Sequence, residues 1–439
     1  MTSQMTPEPQ SNWKPRFFTI WSGQSVSLLG SNLVGFALIW WLTKTTGSAT
    51  VLATASLVGL LPQVFLGPLV GTLVDRWNRR IVMIVADSII ALATLSLAML
   101  FWLKQAQFWH VYILMFIRSV AGGFHWSAMQ ASTSLMMPKE HLARVQGMNQ
   151  MLNGGLNIIS APLGALLLEL LPLQGILGID VFTALIAVTP LFFFAVPQPV
   201  RNQIAEGDAI VKPSIWGELR QGLSYAFTWP GLLIIGVMAT LINFLLTPAF
   251  SLMPILVTKH FGGQALQLAW MESAWGVGVL LGGFLLSVWG GFKRRMYTSF
   301  VGVFGIGVAS LIIGLLPATA FLWAVGAMFL SGFTNPIANG PLFAALQAAV
   351  DPEMQGRIFT LVGSLASAMS PVGLMVAGPV ADHLGAQSWF VIGGVVTLLM
   401  ALTMFTIPAV VRFEEGHPRQ KKGALSPVVV PSITEAGQN

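Results

Sequence analysis

An arginine stands in the middle of a long apolar stretch of the sequence. Arg118 lies about 16 Å along the helix predicted over 108–130, and Gly122 and His125 follow it at helical spacing. Placing an arginine at the centre of a membrane helix costs at least about 2.5 kcal/mol, so the side chain needs a carboxylate partner or a wet cavity. Such a residue can have a functional role, or it can form a fixed ion pair that only holds helices together. His125 could relay protons near neutral pH, or it could simply pack beside Trp126.

Three acidic residues stand in comparable surroundings. Glu272 lies about two turns into the apolar stretch 265–289, Asp180 lies equally deep in 175–197, and Asp87 lies in 81–103. A carboxylate in such a place can bind and release a proton when its surroundings change. We therefore take Arg118, Glu272, Asp180 and His125 as candidates for proton coupling. Asp87 and Asp180 could instead cap a helix or pair with an arginine.

Carboxamides and hydroxyls form stripes on some apolar stretches and not on others. Asn and Gln are absent from the interiors of the third, sixth, ninth and twelfth stretches. The stripes are Gln24, Ser27, Ser31 and Asn32; Asn149, Asn153 and Asn157; Asn243, Thr247 and Ser251; and Ser331, Asn335 and Asn339. A helix that faces lipid cannot satisfy an amide, so this period of three helices predicts a central polar cavity lined by stretches 1, 5, 7 and 10 and by 2, 4, 8 and 11. The alternative is that the stripes only join neighbouring helices.

Candidate ligand contacts follow from these stripes and from nearby aromatic residues. Aromatic side chains beside amides allow loose, adaptable binding, although they also serve as ordinary packing residues. Besides Glu272, the candidates are Gln24, Asn32, Phe36, Asn153, Asn243, Phe244 and Asn335.

The composition requires a membrane around these residues. The 439 residues are 55% hydrophobic and 9% charged, whereas soluble domains are about 25% charged. We predict an all-α membrane protein with twelve transmembrane helices in two pseudo-symmetric six-helix bundles. The predicted spans are 17–41, 49–73, 81–103, 108–130, 146–170, 175–197, 231–257, 265–289, 296–317, 319–349, 356–381 and 388–411.

The loops divide the chain and orient it. We predict a cytoplasmic segment 1–16, bundles over 17–197 and 231–412, a cytoplasmic linker 198–230 with an amphipathic helix, and a disordered cytoplasmic tail 413–439. The halves repeat, because Glu140 and Arg144 match Glu353 and Arg357 at an offset of 213 residues. With both termini in the cytoplasm, 18 of the 22 basic residues fall in cytoplasmic segments and 3 in external loops.

Other classes of protein fit the sequence poorly. The net charge of +6 comes from short loops between apolar stretches, which indicates membrane topology rather than nucleic-acid binding. The sequence holds no cysteine, no GxxxxGK[ST] phosphate loop, no metal-ligand cluster and no hydrolase elbow. We therefore predict no enzyme activity, no catalytic residues, no cofactor and no metal. No removable signal peptide is evident at the N-terminus.

The loop between the second and third spans carries a family motif. Residues 71–80 read GTLVDRWNRR, which resembles the G-x-L-x-D-R-x-x-R-R/K signature of the major facilitator superfamily. The resemblance implies a two-bundle transporter that works by alternating access, and it assigns a gating role to Gly71, Asp75, Arg76, Arg79 and Arg80. In the second half, Gly290 and Gly291 replace the Asp-Arg pair, so that copy of the motif looks degraded.

Other short motifs point to a branch of this superfamily. Leu114, Arg118 and Gly122 at four-residue spacing resemble the fourth-span motif of drug:proton antiporters, in which the arginine is assigned to proton transfer. The fifth-span antiporter motif survives only as 161–164, APLG. The segments 37–43, 124–126 and 138–142 resemble the macrolide-efflux branch, which also contains siderophore exporters.

This resemblance implies proton-driven export of amphipathic, macrolide-like compounds across the inner membrane. We expect a small-molecule substrate, protons and membrane lipid as partners, no nucleic acid, and a monomer. The alternatives are an exporter of one metabolite such as a siderophore, a lysophospholipid flippase, and a non-transporting membrane receptor.

Overall fold

Twelve long helices dominate the computed structural model, which describes residues 13–194, 196, 198, 224–225, 227–350 and 352–416. They are α1 (Trp13–Thr46), α2 (Ala49–Arg76), α3 (Arg79–Trp102), α4 (Phe108–Met136), α5 (Leu142–Leu170), α6 (Leu173–Phe193), α7 (Pro230–Ser251), α8 (Ala265–Trp289), α9 (Arg295–Leu315), α10 (Phe321–Ala349), α11 (Pro352–Leu384) and α12 (Ala386–Thr406). Short helical turns extend α7 over Met253–His260, precede α5 over Lys139–His141, and follow α12 as α13 (Pro408–Val411) and Phe413–Glu415.

Local chemistry explains where several helices begin and end. The side chain of Asn78 accepts hydrogen bonds from the backbone N–H groups of Arg80 and Ile81 and so caps α3. The hydroxyl of Ser48 caps α2 by accepting from the N–H of Val51. Gly290, with a φ of 74°, ends α8 in a left-handed conformation that glycine adopts without strain.

Almost all of these helices could cross a membrane. Among the described residues, 11 helices are long and apolar enough. The twelfth long helix, α4, carries Arg118 and His125, and their polarity lowers its hydropathy. The expectation of an all-α membrane protein is thus confirmed, with twelve long helices of which 11 meet these criteria.

The helices form two groups of six. Within the first group, α1 packs against α5 and α6, and α3 packs against α4 and α6; within the second, α9 packs between α10 and α12. Glycines allow close approach: a Cβ on Gly282 of α8 would overlap the backbone of Phe333 on α10. The groups meet where α2 contacts α11 and where α5 contacts α8.

The two groups close together at one end of the molecule only. We call the end that holds the start of α1 and the end of α12 the terminal end, and the opposite one the far end. At the far end, one buried cluster contains Phe36, Trp40 and Leu52 from the first half together with Leu252 and Phe390 from the second. The described apolar clusters at the terminal end each draw on one half. The space between the halves therefore opens toward the terminal end.

Several predicted boundaries need correction. The tail predicted over 413–439 begins too early, because Phe413 is completely buried and stacks on Trp229 with ring centroids 4.4 Å apart. The segment predicted over 1–16 overlaps α1, which already begins at Trp13. The amphipathic helix predicted in the linker and residues 417–439 fall almost entirely outside the described residues.

Candidate functional site

A buried ion pair lies at the centre of the first half. Nη1 of Arg118 lies 2.5 Å from Oδ2 of Asp180, and the Asp180 side chain is 2% exposed. The hydroxyl of Ser31 donates to Oδ1 of Asp180 over 3.1 Å, and that of Thr94 donates to Oδ2 over 3.3 Å. Nη2 of Arg118 also donates to the carbonyl oxygen of Ser31. Groups on three other helices, α1, α3 and α6, thus compensate the largely buried guanidinium of α4.

A glycine on α1 lets this helix lie close to α6 beside the ion pair. A Cβ on Gly30 of α1 would overlap Oγ1 of Thr183 and would lie 3.3 Å from Cα of Asp180, both on α6. Glycine at this position lets α1 approach α6 closely. Asp180 therefore lies within reach of α1, α3 and α4 together.

A second polar group lies nearer the terminal end of the same half. Nε2 of His125 is 3.5 Å from Oδ1 of Asp87, at ion-pair distance but without hydrogen-bond geometry. Nε2 of Gln24 donates to Oδ2 of Asp87 over 3.3 Å and to the carbonyl oxygen of Ala187 over 3.4 Å. Gln24, His125 and Asn153 also line a small cavity of about 40 Å³, in which Trp21 donates to Asn149.

Glu272 lies apart from both groups, on α8 in the second half. The neighbouring Ser273 donates to the carbonyl oxygen of Ile158 on α5 over 2.9 Å, so this turn of α8 borders the first half. The Glu272 carboxylate makes no hydrogen bond or ion pair with any described residue. A half-buried acid without a partner is costly unless it takes up a proton or a cation.

The family motif over 71–80 covers the end of α2 and the start of α3, and its arginines bind other helices of the first half. Nη1 of Arg79 donates to the carbonyl oxygen of Ala131 over 2.8 Å, and Nη2 of Arg80 donates to that of Phe192 over 2.8 Å. These arginines thus bind the carbonyl ends of α4 and α6, where cations are favoured. Gly71 and Arg76 lie on the last two turns of α2; the Asp75 side chain is outside the described part of the chain.

The predicted ligand contacts fall into three environments. Asn243 and Asn335 line a cavity of about 320 Å³ within the second half, whereas Gln24 and Asn153 line the small cavity of the first. Asn32 is exposed. Phe36 is buried against Gly164, and Phe244 packs near Trp389 with ring centroids 6.2 Å apart. In this conformation the two phenylalanines belong to the far-end packing rather than to a cavity.

Sequence reasoning missed one residue that joins the halves. Asp382, near the end of α11, accepts hydrogen bonds from the hydroxyl of Ser48 and from the N–H groups of Ala49 and Thr50, at 2.9, 2.7 and 2.9 Å. It therefore caps the N-terminus of α2 from the other half. The signal available in the sequence was an acid at the end of one span and a serine at the start of another. Nothing in that pattern specifies that the two meet.

Comparisons with known proteins agree with this architecture. The family model described as Major Facilitator Superfamily matches residues 20–373. The chain belongs to the major facilitator superfamily. A relative named macrolide efflux protein A, from Streptococcus pyogenes, is 34% identical over 397 residues, which cover 90% of this chain and 96% of the relative. The multidrug efflux pump Tap of Mycolicibacterium fortuitum is 23% identical over 86% of this chain and 92% of its own length.

A solved structure shares the same fold. A point mutant of the nucleoside transporter NupG aligns with a TM-score of 0.65 and 16% identity over 90% of this chain and 99% of that one. Membership in this superfamily makes the protein a multi-span membrane transporter of a small molecule and not an enzyme. The predicted family resemblance is therefore confirmed.

Proposed function

We propose that this transporter exports amphipathic small molecules of the macrolide type and exchanges them for protons. The proposal is carried by Glu272, an acid without a described partner on α8, next to the Ser273 that donates to α5 of the other half. The names of the relatives favour efflux, since macrolide efflux protein A is similar over 90% of the chain.

Export requires that the open end face the compartment from which substrate is taken. The excess of basic residues in the terminal-end loops favours a cytoplasmic terminal end in the inner membrane. The opening between the halves then faces the cytoplasm and the inner leaflet, where an amphipathic compound would enter. Both halves are contained in one chain, so we propose that a monomer transports.

Exchange with protons follows from the charges at two sites, Glu272 and the Arg118–Asp180 pair. A cationic substrate that binds Glu272 displaces the proton held there, so that substrate and proton occupy the site alternately. The Arg118–Asp180 ion pair joins α4 to α6, and Ser31 of α1 bonds to both partners. We therefore assign this pair to a step that couples proton uptake to a rearrangement of α1, α4 and α6. Release of His125 from Asp87 would give protons a route from the small cavity.

The test is substrate flux in proteoliposomes with an imposed pH gradient. The panel contains macrolides, cationic dyes and siderophores, and the variants are Arg118→Ala, Asp180→Asn and Glu272→Gln. The control is Glu169→Gln, which neutralises an exposed acid near the far end of α5. We expect the gradient to accelerate macrolide flux in the wild type and in the control but not in Glu272→Gln.

The other outcomes discriminate between functions. Flux that ignores the gradient in the wild type would refute proton exchange and would favour a uniporter or a flippase. Movement of siderophores alone would identify a metabolite exporter. If no compound moved while an unrelated antiporter worked in the same vesicles, the proposed export would be wrong.

A further inference from the structure

The cavity of the second half has a polar interior without charge. It occupies about 320 Å³ among α7, α9, α10 and α12, and Trp275 of α8 closes one side. Its floor holds Ser299 and Thr397, which are buried, and its mouth holds Asn339, which is exposed. None of the described residues that line it carries a formal charge. Sequence reasoning did not expect α9 and α12 to line a cavity.

Several hydrogen-bonding groups in this cavity have no partner in the described protein. Oγ1 of Thr397 is completely buried and makes no hydrogen bond. Asn243 uses Nδ2 to donate to the carbonyl oxygen of Ala239 over 3.0 Å, and its Oδ1 accepts nothing from a described residue. The side chain of Asn335 makes no hydrogen bond with described residues. Asn243 and Asn335 are half-buried and line the cavity, so their free groups can bind a polar occupant, whereas the hydroxyl of Thr397 has no surface there.

The equivalent space in the first half is already filled. The two halves can be aligned on a shared hydrogen bond. Arg79 of α3 donates to the carbonyl of Ala131 on α4, and Arg295 of α9 donates to that of Ala344 on α10. These corresponding carbonyls are 213 residues apart. The same offset places Ser331 at the position of Arg118. The ion pair and its hydroxyl partners occupy the centre of the first half, whereas the second half has neutral side chains around an open space.

We infer that this cavity of the second half binds an uncharged, oxygen-rich ring of the substrate. Asn335 and Asn243 would donate to and accept from its hydroxyl, ether or carbonyl groups, and the faces of Trp275 and Phe250 would cover its apolar side. A volume of about 320 Å³ lies at the small end of ligand pockets. It therefore holds one ring of a large compound and not the whole of it.

The position of Glu272 indicates where a charged part of the same substrate would bind. Glu272 lies three residues before Trp275 on α8, and residues at this spacing are neighbours on one face of a helix. A compound that carries both an amine and a neutral ring would bind the acid and the cavity together. This inference rests on the proposed export of amphipathic compounds and specifies how they are recognised.

The experiment measures binding of radiolabelled erythromycin to the purified full-length chain. This probe carries an amine and neutral, oxygen-rich rings. Asn335→Leu removes the amide at a similar side-chain size, and Ala239→Phe fills the cavity. The matched control is Gln347→Leu, on the same helix, whose exposed side chain does not line the cavity.

We expect the affinity of Asn335→Leu to fall about 3- to 10-fold, since it loses one hydrogen bond to the ligand. Ala239→Phe should weaken binding at least about tenfold by exclusion, and the control should stay within about twofold of the wild type. The thermal stability of Asn335→Leu without ligand should be unchanged or raised, because the side chain of Asn335 makes no hydrogen bond with the described residues that the variant would lose. A purely structural role would instead lower stability and affinity together.

Wild-type affinity in both cavity variants would overturn this inference, as would an equal loss in Gln347→Leu. Failure of the wild type to bind the probe would overturn it as well. Proton-driven macrolide flux separates a failure of this inference from a failure of the proposed export. If the flux persists while the cavity variants bind the probe normally, the export proposal stands and only the location of the ring is wrong.

Discussion

The hydrogen bonds around Asp382 predict how the balance between two conformations can be shifted. In the structure this carboxylate accepts three hydrogen bonds from the start of α2, across the seam between the halves. Asp382→Ala removes all of them and leaves two backbone N–H groups of α2 without this cap. We expect the far end to open more often in this variant, since these contacts exist only when it is closed.

The size of the shift can be worked out from the bonds lost. Replacing a helix-capping side chain by alanine costs about 0.5–2 kcal/mol. Asp382 is exposed, so solvent screens part of its charge interaction. We therefore take about 1–2 kcal/mol, which changes the ratio of closed to open forms about 5- to 30-fold, since every 1.4 kcal/mol is a factor of ten.

The absence of cysteine makes a direct measurement simple, because spin labels attach only to introduced thiols. Labels at Gln105→Cys and Thr319→Cys lie on exposed far-end loops of the two halves. Double electron–electron resonance should show a longer distance gaining population in Asp382→Ala and not in Glu169→Gln. If the distance distributions of Asp382→Ala and the wild type coincide, the carboxylate does not hold the far end closed.

Two further predictions concern stability. Asp180→Asn should lower the free energy of unfolding by about 3–5 kcal/mol, because it leaves the buried Arg118 guanidinium uncompensated. Unfolding followed by tryptophan fluorescence measures this change. An unchanged free energy of unfolding would mean that the ion pair is hydrated. Gly282→Ala should cost about 1–3 kcal/mol by overpacking against the backbone of Phe333. Gly283→Ala is its control, because a Cβ there meets nothing within 4 Å and alanine favours the helix. Equal melting temperatures for the two glycine variants would refute the close approach of α8 to α10.

The sequence predicted the helices well and their side-chain partners poorly. Apolar length is a local property, so the span predicted over 265–289 coincides with α8 as observed. The partner of Arg118 is a long-range property, because Asp180 lies 62 residues away and the choice among Asp87, Asp180 and Glu272 depends on how helices turn toward each other. Hydropathy contains no information on that rotation.

The cavity of the second half was missed for a different reason. Carboxamides mark the polar helices in the sequence, whereas α9 and α12 contribute only hydroxyls to the polar lining of this cavity. Ser299 and Thr397 can satisfy themselves on backbone carbonyls of their own helix, so such residues are ordinary in membrane helices. Only the packing shows that the hydroxyl of Thr397 has no such bond.

The crossing of α5 and α8 has a mechanical consequence. Gly154 lies beside Leu280, and Gly276 lies against the backbone of Asn157, so the halves touch near the middle of both helices. A contact at that level acts as a fulcrum, with arms about 20 Å long on either side at 1.5 Å per residue. Each ten degrees of rocking would then move both ends by about 3–4 Å in opposite directions. A lever with a central pivot cannot open at both ends, so leakage through the protein is prevented by its geometry.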